Sequence, residues 1–177
     1  MPSQPCRNLT EDLVLIQELA HQCSFYADHG PAQPWLDLFT DDGEWSIPAS
    51  GIYVRGKENL RLLIDTIHTM VRNVHHMQSN FITAIDGDRA TASCEVNSFI
   101  NTEDGPQPLD QGLYHYTFQR IHGQWYIVSR AKESPANLKT VLNGPHTALL
   151  VPYFDRLVDL FGQTTRPQLP RAKKPCL

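Results

Sequence analysis

Several signals that mark common protein classes are missing from this chain of 177 residues. No apolar run approaches the roughly 20 residues that a membrane-spanning helix needs. The stretch 1–8 lacks the apolar segment of a signal peptide. The four cysteines include no C-x-x-C spacing, which argues against a zinc or redox motif. We therefore expect reduced thiols in a cytoplasmic protein without a membrane partner.

Signals for nucleic-acid and cofactor binding are missing as well. The formal net charge is −4, and the sequence has its one cationic cluster at 171–174, so no basic surface for nucleic acid is expected. Neither a G-x-G-x-x-G motif nor a P-loop occurs. The sequence therefore predicts neither a nucleic-acid partner nor a bound cofactor.

The composition is that of an ordinary globular protein, with 41% hydrophobic and 19% charged residues. The length suits one domain with a sizeable core. We predict an N-terminal tail at 1–9, a domain at 10–135 and a C-terminal extension at 136–177. The extension has one amphipathic segment, 149–162, that predicts a helix before a Pro-rich tail.

The first 71 residues predict three helices. Thr10 is a plausible N-cap of the first helix, which should end near Asp28 because Gly30 and Pro31 follow. A second helix is predicted at 34–40 and a third from about residue 57. Apolar residues recur in the first helix at spacings of three and four and predict its buried face: Leu13, Ile16, Leu19, Ala20, Cys23 and Ala27.

Beyond residue 72 the hydrophobic period changes from near 3.6 to 2, which predicts strands. Four long strands are expected at 73–86, 89–101, 110–121 and 124–134, after a shorter one that begins near Glu44. Turn-forming residues separate them, so all the pairing is expected to be antiparallel. Helices that precede a sheet indicate the α+β class rather than alternating βαβ units.

Two adjacent histidines, His75 and His76, lie in the first long strand. Neighbouring side chains on a strand point to opposite faces, so the pair is not expected to bind one metal ion. No H-x-H or H-x-x-x-H motif accompanies them, and no metal site is predicted. Parity places His76 with Asn80 and Ile82, but both faces are mixed, and a lone strand histidine is more often structural than catalytic.

Five segments in order carry a resemblance to a known family. They are "FYAD" (25–28), "WLDLFTDDGEW" (35–45), "GIYVRGKENL" (51–60), "HHMQSNFITAIDGDRATA" (75–92) and "GLYHYTFQRIHGQWYIVSR" (112–130). The set resembles the SnoaL-like branch of the nuclear transport factor 2-like superfamily, which includes scytalone dehydratase. The resemblance implies a cone-shaped, curved antiparallel sheet, an α+β barrel, wrapped around N-terminal helices with a pocket at the open end.

The resemblance also implies a catalytic set. Asp28 is at the position of the family's catalytic aspartate, His76 at that of its catalytic histidine, and Arg130 matches an arginine that lines the pocket. Some relatives have a lysine or tyrosine five residues before the aspartate, where this chain has Cys23, a poor acid. The residues expected to contact substrate are Phe25, Tyr26, Tyr53, Asn97 and Tyr114.

Three functions are compatible with these residues. We predict a cofactor-independent lyase, a dehydratase or related eliminase, or else an isomerase or cyclase, acting on a small apolar ring-containing metabolite. His76 would be the general base and Asp28 its orienting partner. A non-catalytic binding module, in which the two would lie too far apart to hydrogen-bond, and the small subunit of an aromatic-ring dioxygenase are the alternatives. A homo-oligomer is expected, a trimer rather than a dimer.

Overall fold

The computed structural model describes residues 8–134 and 145–162. The tail at 1–7 and the Pro-rich segment beyond residue 162 lie outside the described residues. These two ranges contain four α-helices, three before the long strands and one after them. Their bounds are Leu9–His29 (α1), Ala32–Asp37 (α2), Lys57–Met70 (α3) and Thr147–Phe161 (α4). No helix within these ranges is long and apolar enough to span a bilayer.

The termini of α1 differ slightly from expectation. Asn8, rather than Thr10, is the N-cap, because its side-chain oxygen accepts a hydrogen bond of 3.3 Å from the backbone of Glu11. At the other end, the backbone of Gly30 donates to the carbonyl of Tyr26 at 2.8 Å. The predicted end of the helix near Asp28 is confirmed to within one residue, so Asp28 lies in the last turn.

In the described part of the chain, six strands form one sheet in the order β2-β1-β6-β5-β4-β3. Their bounds are Phe39–Ile47 (β1), Ile52–Arg55 (β2), Val74–Asp86 (β3), Arg89–Thr102 (β4), Gly105–Ile121 (β5) and Gln124–Glu133 (β6). The prediction of an α+β fold with N-terminal helices and four long strands is confirmed. The sheet is open, with β2 and β3 at its edges.

One strand pair contradicts the expectation of a wholly antiparallel sheet. β1 runs parallel to β6, with Trp45 opposite Arg130 in register. Periodicity reports which side chains share a face but not the direction of a strand relative to a partner distant in sequence. α3 and four strands separate β1 from β6 along the chain, so no turn constrains their relative direction.

A bulge interrupts β3 and changes which face its residues occupy. The register with β4 shifts between Ser79 and Ile82, and Asn80 has a φ of 55°. Ile82 is consequently 78% exposed, whereas Phe81 packs against the core. The parity that placed Ile82 on the face of His76 is therefore wrong beyond the bulge, although it holds from Val74 to Gln78.

One face of the sheet packs against α1, and a charged side chain of α1 is buried at this contact. Asp12, which is buried, accepts a hydrogen bond of 3.0 Å from the indole Nε1 of Trp125 and pairs with Arg120. α4 packs against β2 and α3, and its Leu157 is fully buried. A chamber lies between α1, α3, α4 and the strands of the sheet.

Candidate active site

Asp28 and His76 are joined by two hydrogen bonds. Nδ1 of His76 lies 2.6 Å from Oδ1 of Asp28, and the backbone N–H of His76 donates to Oδ2 at 2.6 Å. The carboxylate is 5% exposed and the imidazole 21%. Because a carboxylate accepts hydrogen bonds, Nδ1 carries the proton and Nε2 of the neutral ring keeps its lone pair. The separation expected for a non-catalytic binding module is not observed.

A cavity of about 90 Å³ contains this pair. It is also lined by Tyr114, Arg130 and Lys132. Most of its other walls are apolar and come from β1, from α3 and the residue that follows it, and from α4: Trp45, Ile47, Ile67, Val71, Tyr153 and Phe154. A concave, largely apolar chamber with a few polar groups is typical of a small-molecule site.

Burial sets the electrostatics of His76. Loss of water around the ring lowers the pKa of His76 below its ordinary 6.5, and the positive charges of Arg130 and Lys132 lower this pKa further. The hydrogen bond and the charge of Asp28 raise it, but by less than burial lowers it. The lowered pKa keeps the ring neutral at pH 7. A neutral imidazole with an unshared Nε2 is the form that accepts a proton.

Arg130 is buried and stacks on an aromatic ring. Its guanidinium carbon lies 3.8 Å from the centroid of Tyr114, a cation–π contact. Nη1 lies 3.8 Å from the sulfur of Cys23, a weak interaction, and Nε has no partner among the described residues. The guanidinium is therefore held at the cavity wall with hydrogen-bonding capacity to spare.

Cys23 does not replace the lysine or tyrosine of the family pattern. It is fully buried beneath Arg130 and is not part of the cavity wall, and burial raises the pKa of its thiol. A neutral buried thiol is a poor acid and a poor nucleophile. The position contributes packing rather than chemistry.

A second polar group lies on the cavity wall formed by β4, β5 and β6. The ammonium of Lys132 pairs with Oδ2 of Asp110 at 2.5 Å. Ser98 is opposite His76 in the register of β3 and β4 and opposite Asp110 in that of β4 and β5. Ser98 is 3% exposed, and its hydroxyl has no hydrogen-bond partner within residues 8–134 and 145–162.

His75 points away from the cavity, as alternation along a strand requires. Its Nε2 lies 2.8 Å from the side-chain nitrogen of Asn101, and its ring is 5.1 Å from that of His29. Asp28, His29 and His75 offer possible metal-ligand atoms within 4.8 Å of one another. Both oxygens of Asp28 already accept from His76, so a cation there would compete with His76 for this carboxylate.

The structure brings four of the eight sequence-predicted site residues together: Asp28, His76, Tyr114 and Arg130 line the same cavity. The other four do not line it. Phe25 faces outward on α1 and is 59% exposed. Tyr26 is on α1 but does not line the cavity. Tyr53 lies between the buried residues of β2 in the sequence, so its side chain points to the opposite face, and Asn97 is on the outer face of β4. Their predicted contact with substrate is not supported by these positions.

Sequence reasoning missed Ser98, Asp110, Lys132 and Tyr153 as cavity residues. Lys132 is two residues after Arg130 on one strand, and the same-face rule for strands was a usable signal. The pairing of Ser98 with His76 depends on strand register, which the sequence does not supply. Tyr153 belongs to the amphipathic helix predicted at 149–162, but nothing in the sequence placed that helix beside the sheet.

Solved structures with this fold are numerous. Rv3472 of Mycobacterium tuberculosis, of unknown function, is 21% identical with a TM-score of 0.78 over 92% of this chain and 98% of its own. An NTF2-like protein with a cystatin-like fold from Novosphingobium aromaticivorans is 25% identical, with a TM-score of 0.66 over 77% and 92%. A protein provisionally assigned as a scytalone dehydratase from the same organism is 21% identical, with a TM-score of 0.63 over 72% and 87%.

These similarities define the class, an NTF2-like α+β protein with a cystatin-like fold. The sequence profile of the SnoaL-like domain matches residues 9–131. The chain therefore belongs to the SnoaL-like domain family. A search of curated proteins returned no match.

Proposed function

We propose that this protein is a cofactor-independent lyase, a dehydratase or related eliminase, acting on a small apolar ring-containing metabolite. The observation that carries the proposal is the double hydrogen bond between Asp28 and His76 inside a largely apolar cavity. The family includes enzymes of this kind, which is compatible with the assignment.

His76 acts as the general base. Its neutral Nε2 takes a proton from a carbon of the substrate, and Asp28 stabilises the imidazolium that results. A positioned base of this type contributes about 10²–10⁴-fold to the rate. Asp28 also fixes the tautomer, because the bond to Nδ1 leaves Nε2 as the basic atom. In an elimination of water, the imidazolium returns the proton to the departing hydroxide.

Arg130, held on the ring of Tyr114, binds a polar group of the substrate. The guanidinium is fixed on the ring of Tyr114, and its Nε is unpaired among the described residues. Fixed cationic donors in a water-poor chamber stabilise charge that develops in the transition state. The same machinery would serve an isomerase or a cyclase, in which the carbanion is protonated elsewhere or attacks a second carbon.

The test compares the two neighbouring histidines. A panel of hydroxylated cyclic compounds is incubated with the protein in D₂O, and mass spectrometry detects loss of water or uptake of deuterium. His76→Ala should reduce the rate by about 10²–10⁴-fold. His75→Ala, a matched change on the outer face of the same strand, should retain the rate within a few-fold. Equal rates in wild type and His76→Ala would remove the proposal.

We also propose that the protein self-associates, as a trimer rather than a dimer, around the outer face of the sheet. Large apolar side chains are exposed there: Met77, Ile82 and Leu113. Contact between copies would remove this surface from water. Light scattering at micromolar concentration should give the mass of three chains, and the mass of one or two chains would contradict the proposal.

A further inference from the structure

Ser98 and Lys132 stand apart from the proton-transfer pair on the wall of the cavity. We propose that they form an oxyanion subsite, which holds the substrate oxygen that becomes negatively charged when His76 removes a proton. The inference rests on the proposed function, which it deepens, and assigns the ligand chemistry of this wall: a ring carbonyl oxygen, which becomes an enolate oxygen. Arg130 is then left to bind a different polar group.

Lys132 is held in place by an anchored carboxylate. Oδ2 of Asp110 accepts from the ammonium of Lys132 at 2.5 Å and from the hydroxyl of Ser134 at 3.2 Å, while Oδ1 accepts from the backbone of Gln111 at 2.8 Å. Asp110 is thus fixed by three donors from its surroundings. An ammonium has three N–H donors, and Asp110 takes one of them. The remaining donors belong to a side chain that is 14% exposed and lines the cavity.

Ser98 supplies the independent observation. A buried hydroxyl without a partner is costly unless a ligand or water completes its hydrogen bonding. Directly opposed residues on antiparallel strands have Cβ atoms about 4.5–5.5 Å apart. Ser98 is directly opposite both His76 and Asp110, so its hydroxyl lies between the base and the residue that anchors Lys132.

This arrangement suits a substrate with a carbonyl group next to the carbon that loses its proton. When Nε2 of His76 takes the proton, the C–H electron pair forms a new carbon–carbon π bond and the carbonyl π electrons move to oxygen. The proton remains on His76, and the negative charge lies on the oxygen at the subsite. Asp110 balances Lys132 before the reaction, so the donors favour the charged oxygen over the neutral one.

The experiment measures binding of 4-nitrophenol, a one-ring compound whose phenolate absorbs visible light, as a mimic of the charged oxygen. Wild type should bind the phenolate more tightly than the neutral phenol and lower the pKa of the bound ligand. Ser98→Ala and Lys132→Gln should each weaken phenolate binding by about 10- to 100-fold, the loss expected for a hydrogen bond to a charged group. Binding of 4-nitroanisole, the uncharged methyl ether, should change by less than about threefold.

The controls separate this inference from the proposed function. His76→Ala should still bind the phenolate, so loss of its turnover tests the base alone and not the subsite. Ser98→Ala removes one oxygen atom and decides the question if Lys132→Gln does not fold. Unchanged phenolate affinity in Ser98→Ala, no preference of wild type for the phenolate, or loss of binding confined to Arg130→Lys would overturn the inference while leaving the base untouched.

Discussion

Asp28 accepts two hydrogen bonds from His76, one from the backbone N–H and one from Nδ1, each 2.6 Å long. The first bond fixes the position of the residue and the second fixes the tautomer of its ring. Since Asp28 is in the last turn of α1 and His76 is near the start of β3, the pair joins the helix to the edge strand of the sheet. The proposed chemistry depends on this junction.

Asp28→Asn should lower both the turnover and the stability of the protein. An asparagine amide keeps the size of the carboxylate but does not stabilise an imidazolium, so we expect turnover to fall by about 10²–10⁴-fold. The free energy of unfolding should fall by about 1–3 kcal/mol, because a charge-assisted hydrogen bond is lost. Steady-state kinetics and urea unfolding measure the two effects.

The matched control for that change is Asp65→Asn, at an exposed position on α3. It should leave both turnover and stability within error of wild type. Wild-type turnover in Asp28→Asn would show that the carboxylate is structural only.

The pH profile of kcat/KM should have an acidic limb with a midpoint below 6.5. Burial lowers the pKa of His76, and protonation of Nε2 removes the base, so activity is lost as pH falls through that pKa. The charged groups that act on the ring are Asp28 from α1 and Arg130 and Lys132 from β6.

Charge removal predicts the direction in which that midpoint moves. Lys132→Gln removes a positive charge that lowers the pKa of His76, so the midpoint should move to higher pH. Asp28→Asn removes the group that raises the pKa, and its residual activity should have a midpoint at lower pH. Movement of both midpoints in the same direction would contradict the assignment of the limb to His76.

Tyr114 should act mainly through its ring. Tyr114→Phe keeps the aromatic face under Arg130, whereas Tyr114→Leu removes the cation–π contact at 3.8 Å. We expect the leucine variant to raise KM and lower kcat/KM by about tenfold, equivalent to about 1.4 kcal/mol, and the phenylalanine variant to lie closer to wild type. A larger loss in Tyr114→Phe than in Tyr114→Leu would instead assign the role to the hydroxyl.

Asp12 should be a stability residue with no part in turnover. Asp12→Ala leaves Arg120 and the indole of Trp125 without this buried partner, and breaking a buried pair costs about 3–5 kcal/mol. Glu11→Ala, the exposed neighbour, should cost less than about 1 kcal/mol. Thermal unfolding measures the difference, and turnover per folded molecule should equal that of wild type in both variants.

The sequence could predict the pair of Asp28 and His76 because the family resemblance and the local structure of the chain indicate the same two residues. Gly30 and Pro31 end α1 next to Asp28, and alternation along β3 separates His75 from His76. The fold class followed from the change of period near residue 72. Both kinds of information are local along the chain.

The rest depended on contacts between distant segments. The bulge at Asn80 changes which face of the sheet the following residues of β3 occupy, and no residue pattern near Asn80 predicts its positive φ. The parallel pairing of β1 with β6 places Trp45 opposite Arg130, although the two residues are 85 positions apart in the sequence (130 − 45). Ser98 joins the site through register, and Tyr153 through the packing of α4 on the sheet.

Nuclear magnetic resonance of the histidine side-chain nitrogens tests the central claim most directly. His76 should have its proton on Nδ1 at neutral pH and should titrate with a midpoint below 6.5, and Asp28→Asn should change both properties. An Nε2-protonated ring, or a titration midpoint of 6.5 or above that Asp28→Asn leaves unchanged, would contradict the account.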